Sequence, residues 1–378
     1  MQLTPEQAAV RDVVREFAEE EIRPYAEECD QTQTFPEEVW DGLAELDLTG
    51  LTVPEEYGGY DADPMTYAIV NEELAYGMLS VATALSVHGL ATSCLAEFGS
   101  EELKDAWLPE MATGRPIGAF ALSEPHAGSN PAEMTTVAER DGDEYVINGK
   151  KQWITNGKRS DVVILFAKTD RDDDGSITQF FVPKDEVEGL EVGKKEDKLG
   201  LRASDTTTLM FDDVRIPAEY RLTEEGKGLS AAFHILTGGR IAIGAQSVGL
   251  AQSAFDAALA YAQEREQFGK PIGDIQTIRH KLADMQTKIT ASRLLTREAA
   301  RKKAEGDQME TAFAASQAKY FASEAAMDVT NEAVQIHGGY GYTTDFPVER
   351  MYRDAKILTI YEGTSEIQKK IIARHLLD

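Results

Sequence analysis

The chain has 378 residues, with 38 lysines and arginines against 66 aspartates and glutamates, which gives a formal net charge of −28. Hydrophobic residues make up 42% of the sequence, enough for a packed interior, so a mainly disordered chain is excluded. A surface this acidic repels nucleic-acid phosphates, and we expect no nucleic-acid partner.

The first part of the chain, to about residue 115, has the pattern of helices. Thr4, Pro5 and Gln7 offer a cap, a first-turn proline and a capping-box partner. Asp63 and Ser100 mark further helix starts. The uncharged run 74–96 is long enough to cross a bilayer. Its Ser, Thr and His residues favour a buried helix instead, and we predict no membrane span.

The middle part, residues 116–225, has the pattern of strands. Asp141-Gly142, Asn148-Gly149 and Asn156-Gly157 are typical of turns, and the apolar run 162–166 is typical of a short buried strand. After residue 226 the pattern is helical again, with a stripe of apolar side chains from Ile275 to Ile289 at helical spacing. We therefore predict an α+β fold that is mainly α. Its domains are 1–115 (all α), 116–225 (β, barrel-like) and 226–378 (a helical bundle).

Two features bear on the cellular location. The N-terminus lacks a basic segment followed by an apolar run, so no export signal is predicted. The cysteines, Cys29 and Cys94, are too few for a disulfide framework, which favours the cytoplasm.

The excess of acidic residues has two interpretations: a solvated surface that maintains solubility, or adaptation to a salt-rich cytoplasm. We favour the second, because the acidic residues are spread along the chain, and salt at 1 M screens charge repulsion within about 3 Å. We then expect the free energy of unfolding to fall on dilution into low-salt buffer. Denaturant titrations at two salt concentrations test this, and an unchanged value would contradict it.

Motifs of several enzyme classes are absent from the sequence: the phosphate-binding P-loop, the HExxH zinc site, the nucleophile elbow and the dinucleotide-binding glycine fingerprint. The six histidines lack metal-ligand spacing, and we predict no metal site.

Four segments have the composition of a binding or catalytic site. Residues 120–129 (FALSEPHAGS) could bring backbone N–H groups and hydroxyls to a ring or a phosphate, or form an ordinary turn. Residues 153–157 (WITNG) place an indole near a hydroxyl, which suits a flat cofactor, although an interior tryptophan would fit a core equally well.

The other two segments lie near the C-terminus. Residues 335–342 (QIHGGYGY) allow close backbone approach to a ligand, or provide a helix end and turn. Residues 360–368 (IYEGTSEIQ) place Glu362 beside a Thr/Ser cap and a new helix. The free N–H groups at such a helix start can bind a pyrophosphate.

In this order, the four segments resemble the acyl-CoA dehydrogenase family, and "REQFGKPIGDIQTIRHKLADM" and "MYRDAKILTIYEGTSEIQ" match it as well. The resemblance covers nearly the whole chain. It implies a helical N-terminal domain, a middle β domain and a C-terminal four-helix bundle. It also implies FAD as cofactor, an acyl-CoA substrate, an electron-transfer flavoprotein as electron acceptor and a homotetramer.

The resemblance also implies roles for individual residues. The resemblance implies that Glu362 is the base that removes the α-proton of the acyl thioester, and that flavin N5 accepts the β-hydride. The residues implied to bind FAD, some of them across a subunit boundary, are Phe120, Leu122, Ser123, Gly128, Ser129, Trp153, Ile154, Thr155, Arg265, Phe268, Gln276, Gln335, Ile336, Gly338, Gly339, Thr364, Ser365 and Glu366. The residues implied to contact the substrate are Ser129, Thr237, Arg240 and Gly363.

The sequence departs from the family pattern at two places. Asn130 and Thr237 stand where aspartate is common, which changes the charge near the cofactor and near coenzyme A. Relatives acting on isovaleryl or very long chains place the base beside the residue matching Arg240, where this chain has Gly239. A short- or medium-chain, butyryl-CoA dehydrogenase-like activity is therefore predicted. The alternatives are an acyl-CoA oxidase or flavin monooxygenase on the same fold, and a flavin-free scaffold.

Overall fold

Helices form the first part of the chain, and local capping sets where they begin. The computed structural model describes residues 2–377. Its first helices are α1 (Pro5–Phe17), α2 (Ala26–Thr32), α3 (Glu37–Glu45), α4 (Pro64–Gly77), α5 (Leu79–Phe98) and α6 (Glu101–Ala112). Thr4 and Gln7 form the predicted capping box, each backbone N–H donating to the other's side chain over 3.1 Å. Asp63 and Ser100 cap α4 and α6, also as predicted.

The uncharged run 74–96 is divided between two helices, so the prediction of one continuous helix is wrong. Met78 interrupts it with an extended backbone (φ −157°). Helix α5 is long and apolar enough to cross a membrane, but 89% of its most apolar window is buried within the protein. Such burial is typical of a core helix.

The middle part is a curled sheet. Its strands are β1 (Gly118–Ala121), β2 (Val137–Asp141), β3 (Glu144–Thr155), β4 (Val162–Lys168), β5 (Ile177–Pro183), β6 (Leu190–Val192) and β7 (Thr206–Pro217). The strand order is β1-β4-β2-β3-β7-β6, with β5 on the other edge of β4. The turn predicted at Asp141-Gly142 is confirmed, because Asp141 of β2 pairs with Glu144 of β3 across it.

One predicted turn of the middle part is wrong. Asn148-Gly149 lies inside β3, where the pairing with β7 shifts register between Ile147 and Gly149. Gly149 has φ +152°, and a Cβ there would lie 2.5 Å from Thr136 Oγ1. The glycine therefore allows a β-bulge and a close strand contact instead of a chain reversal.

Long helices form the last part of the chain. They are α7 (Gly228–Glu264), α8 (Gln276–Glu305), α9 (Gln308–His337), α10 (Val348–Leu358) and α11 (Ser365–Leu377), with a hairpin of β8 (Glu266–Gln267) and β9 (Lys270–Pro271) between α7 and α8. The predicted apolar stripe of α8 packs into the main core, with Met285 and Ile289 fully buried. Helix α9 packs against α7, α8, α10 and α11.

One hydrophobic core joins the two helical parts. It contains Leu74 and Val81 from α4 and α5 together with Val248 from α7 and Val329 from α9. Helices α4 and α5 pack directly on α7, and α11 packs on α9. Tyr361, which precedes α11, hydrogen-bonds to Thr83 of α5 and Gln246 of α7, so the start of α11 lies beside helices from distant parts of the sequence. The predicted domain boundaries stay a prediction, and residues 1 and 378 lie outside the described residues.

Candidate active site

Glu362 lies in the short connection between α10 and α11. Its backbone is left-handed, with φ +55°, and Gly363 follows with φ +90°. The Thr364 hydroxyl then accepts a hydrogen bond from the Ile367 N–H (3.3 Å), which caps α11. A positive φ at a residue with a side chain is uncommon and typical of functional sites.

The Glu362 carboxylate is turned inward. The residue as a whole keeps some exposed surface, but its Oε2 atom is shielded from solvent and has no hydrogen-bond partner among residues 2–377. A Cβ built on Gly239 of α7 would lie 2.6 Å from this Oε2. The absence of a side chain at position 239 therefore gives the carboxylate its space.

Burial and the neighbouring positive charges shift the pKa of Glu362 in opposite directions. Burial raises the pKa of Glu362 to about 7, although the positive charges of Arg240 and Lys319 oppose this rise. Burial also lowers the pKa of Arg240, whose Nε has no hydrogen-bond partner in the described part of the chain. Burial and the nearby Glu362 raise the pKa values of Tyr67 and Tyr361. A buried carboxylate that titrates near neutral pH is suited to act as a general base.

A buried ion pair anchors the segment 120–129. Lys151 Nζ, on β3, donates to Glu124 Oε1 (2.9 Å) and to the Leu122 carbonyl (3.1 Å). Burial alone would raise the pKa of Glu124, but Lys151 and hydrogen bonds from Thr135 and Thr136 lower it to about 2. The Gln152 N–H donates to the Ser123 carbonyl (2.9 Å), which joins this loop to the start of the 153–157 segment.

Trp153 lies on the surface, so the interpretation of this residue as a core tryptophan is wrong. Its side chain is 60% exposed, and its backbone has φ +64° at a second bulge of β3, between Lys151 and Ile154. Ile154 is buried and Thr155 is half-buried. The bulge therefore displays a flat aromatic surface next to the anchored loop.

A second group of predicted residues lines a separate cavity of about 620 Å³. It contains Arg265, Phe268, Ile336, Gly338 and Gly339, with Phe268 92% exposed. The Arg265 guanidinium lies 5.5 Å from the centre of the Tyr340 ring. The cavity lining includes neither the 120–129 loop, the 153–155 segment nor Glu362.

The remaining predicted residues lie as follows. Gln276 is exposed at the start of α8, and Gln335 is exposed near the end of α9. Thr364, Ser365 and Glu366 lie at the start of α11, where the Ser365 hydroxyl donates to Glu324 (2.5 Å).

The predicted substrate contacts are divided between a loop and a helix. Thr237 lies in α7, one helical turn before the buried Arg240, and its hydroxyl donates to the Phe233 carbonyl (2.9 Å). Gly128 and Ser129 are exposed at the end of the 120–129 loop.

Sequence reasoning missed several buried polar residues around this site. Lys151, Lys319 and Gln368 are all fully buried. A signal existed for Lys319, because it shares the helical spacing of the buried Ala315 and Ala322. Lys151 carried no such signal. Within residues 2–377, no group of His, Cys, Asp or Glu side chains is arranged to hold a metal ion.

Family models cover the chain almost from end to end. They are the acyl-CoA dehydrogenase N-terminal domain (residues 4–115), middle domain (119–214) and C-terminal domain (226–377). The chain belongs to the acyl-CoA dehydrogenase family. It is a flavin-dependent acyl-CoA oxidoreductase that is similar to short-chain and butyryl-CoA dehydrogenases, and its cofactor is FAD.

The relatives include proteins of known name and structure. A short-chain-specific acyl-CoA dehydrogenase of Clostridium acetobutylicum is 45% identical over 372 residues, 98% of each chain. The solved butyryl-CoA dehydrogenase of Megasphaera elsdenii is 41% identical with a TM-score of 0.95, and the match covers 100% of both chains. A chain from a structural study of the electron transferring flavoprotein of Acidaminococcus fermentans is 41% identical with a TM-score of 0.96. That match covers 100% of this chain and 99% of the other.

The residues of this chain fit FAD. The exposed Trp153 indole offers a flat surface for a ring system, beside the loop anchored by Lys151. Apart from the adjoining backbone, no heavy atom of residues 2–377 lies within 4 Å of where a Cβ at Gly338 or Gly339 would be, so their backbone is open to a ligand. Arg265 lines the same cavity, and its positive charge is complementary to a diphosphate.

Proposed function

We propose that this enzyme converts a short- or medium-chain acyl-CoA thioester to the trans-2-enoyl-CoA, and that Glu362 is the catalytic base. The observation that carries the proposal is the unpartnered, shielded Oε2 atom of Glu362 in a site where burial raises its pKa to about 7. A group with that pKa is half deprotonated at neutral pH and is basic enough to take a proton.

Several residues of this chain would contribute to the reaction. Glu362 removes the α-proton, and the backbone N–H at Glu362 helps to polarise the thioester carbonyl. When bound, FAD supplies the acceptor for the β-hydrogen, which leaves as hydride. Arg240 contributes a buried positive charge close to the carboxylate. Shielding from water strengthens each of these electrostatic interactions.

Binding of the ligands is assigned to two groups of residues. Ser129, Thr237, Arg240 and Gly363 would contact the coenzyme A thioester. The loop 120–129 and residues 153–155 would hold the flavin ring, with residues 364–366 near it. The 620 Å³ cavity, together with Gln276 and Gln335, would hold the adenosine diphosphate part of FAD from a second subunit. A site divided between two subunits requires an oligomer, and we propose a homotetramer. We also propose that the enzyme acts in the cytoplasm.

The names of the relatives support the finer assignments. Short acyl chains are favoured because the similar proteins include a short-chain-specific enzyme and a butyryl-CoA dehydrogenase. An electron-transfer flavoprotein is favoured as electron acceptor because a similar chain comes from a study of such a protein.

Anaerobic spectroscopy tests the reaction. The purified holoenzyme is mixed with butyryl-CoA without oxygen, and we expect the flavin absorbance near 450 nm to bleach. Bleaching that persists after air is admitted identifies a dehydrogenase, whereas rapid reoxidation with peroxide formation would identify an acyl-CoA oxidase. No bleaching by acyl-CoA thioesters of any length would contradict the proposal.

A further inference from the structure

Lys319 is a buried cation for which the reaction above has no use. It lies in α9 with no exposed surface, and its Nζ donates to the Gly363 carbonyl over 2.7 Å. Within residues 2–377, this hydrogen bond is its only one, and no carboxylate forms an ion pair with it. A buried ammonium group without an ion-pair partner is unfavourable for folding, so a benefit to function would explain its presence.

The carbonyl that Lys319 holds belongs to the strained turn that carries the base. Glu362 and Gly363 are consecutive left-handed residues, a conformation that neighbouring groups must stabilise. Gln368, buried in α11, supplies the other donor. Its Nε2 atom lies 3.2 Å from the Glu362 carbonyl oxygen and 2.9 Å from that of Gly363. Lys319 and Gln368 thus fix the turn from two different helices.

The charges around the turn come from several elements. Lys319 interacts electrostatically with Glu362, with Arg240 of α7, with Glu324 of α9 and with Glu366 of α11. The charge of Glu362 contributes to raising the pKa values of Tyr67, on α4, and of Tyr361, the residue that precedes Glu362. Lys319 and Arg240 are the two cations that favour the ionised form of Glu362.

Lys319 stays positively charged at neutral pH, the pH at which the enzyme is expected to act. Burial lowers the pKa of Lys319 to about 8, so the ammonium form persists at neutral pH. Arg240 is already assigned to the substrate. Lys319 is therefore the cation whose only hydrogen bond, within residues 2–377, is to the Gly363 carbonyl, in the turn that carries the base.

We propose that Lys319 is a positioning residue for the reaction: through the Gly363 carbonyl it fixes the turn that aims Glu362, and its positive charge favours the ionised form of Glu362. This inference rests on the proposed function of Glu362.

Two substitutions separate the charge from the hydrogen bond. Lys319→Gln removes the charge and keeps an N–H donor, whereas Lys319→Met removes both. The measurement is the pH dependence of anaerobic flavin reduction by butyryl-CoA. In the unmodified enzyme the rate should fall as the pH drops through about 7, because Glu362 becomes protonated. In both variants we expect the midpoint to rise by about one pH unit, since a neighbouring opposite charge is lost.

The limiting rate at high pH reports on the turn. Lys319→Gln should keep this rate, and Lys319→Met should lower it by about tenfold, because misplacing a reacting group slows the reaction. The melting temperature of both variants should stay near that of the parent, since Gln368 still donates to the Gly363 carbonyl. Lys288→Met is the matched control. It removes a half-exposed lysine of α8 that pairs with Asp328 of α9, and it should leave the midpoint unchanged.

The outcomes separate this inference from the proposed function. If both Lys319 variants fold, bind FAD and keep the parental midpoint, Lys319 has no influence on the base and the inference is overturned. A lower melting temperature with an unmoved midpoint would also overturn it, because that is the effect of a purely structural residue. If Glu362→Gln keeps parental turnover, the proposed function itself fails, whatever the Lys319 variants do.

Discussion

Replacing Glu362 by glutamine is expected to leave FAD bound and to slow flavin reduction by butyryl-CoA by about 10²–10⁴-fold, the usual contribution of a general base. Glutamine has nearly the same shape as glutamate but cannot accept the α-proton. The strained backbone at this position stays held by Gln368 and Lys319, so the site should keep its geometry. Stopped-flow absorbance under anaerobic conditions measures the rate, and the protein-bound flavin spectrum measures cofactor content.

The matched control is Glu298→Gln. Glu298 is a half-exposed carboxylate of α8 that pairs with Arg301, far in sequence from the proposed site. Its loss should leave the rate within about twofold of the parent, as is usual for surface changes. Near-parental reduction by the Glu362→Gln enzyme would show that another group takes the α-proton.

Transferring the glutamate from position 362 to position 239 is expected to produce a second large change in the rate of flavin reduction. Glu362→Gly should be as slow as the glutamine variant, and glycine suits the left-handed backbone there. Adding Gly239→Glu should then recover at least about tenfold in rate, as expected when a general base is restored. The structural reason is that a Cβ at position 239 points at the place of the Glu362 carboxylate, 2.6 Å from Oε2. Rates with butyryl-CoA and longer acyl-CoA thioesters measure the recovery.

The neighbouring glycine provides the control for that relocation. A Cβ at position 238 points at Lys303 Nζ, 2.5 Å away, and not at the carboxylate. Glu362→Gly combined with Gly238→Glu should therefore show no recovery. Equal recovery from both positions, or none from position 239, would contradict the geometry described for this site.

Local rules predicted much of the fold. The caps at Thr4, Asp63 and Ser100 depend on hydrogen bonds within a few residues, and each is present. The break at Met78 was not predicted, because the run 74–96 contains no proline to stop a helix there; Met78 lies between two helices that both pack on α7. Asn148-Gly149 was mistaken for a turn because the same residue types also serve bulges, and only the close approach of Thr136 distinguishes the two.

The motifs of the candidate site could be predicted from the sequence, but the groups that surround Glu362 in the folded protein could not. Resemblance to a family indicated Glu362, but the groups that act on its pKa come from α7 and α9, more than 40 residues away in sequence. Lys151 and Glu124 pair only once β3 lies beside the loop after β1. Such pairs depend on tertiary packing, which no sequence periodicity encodes.

The central claim is that the Glu362 carboxylate meets the α-carbon of a bound acyl thioester. The most direct measurement is the distance between these groups in an experimental structure of the FAD-loaded enzyme with a bound, non-reducible acyl-CoA analogue. We predict a carboxylate oxygen about 3–3.5 Å from the α-carbon, the separation of reacting groups. A Glu362 side chain pointing into bulk solvent, or a different carboxylate at the α-carbon, would contradict the account.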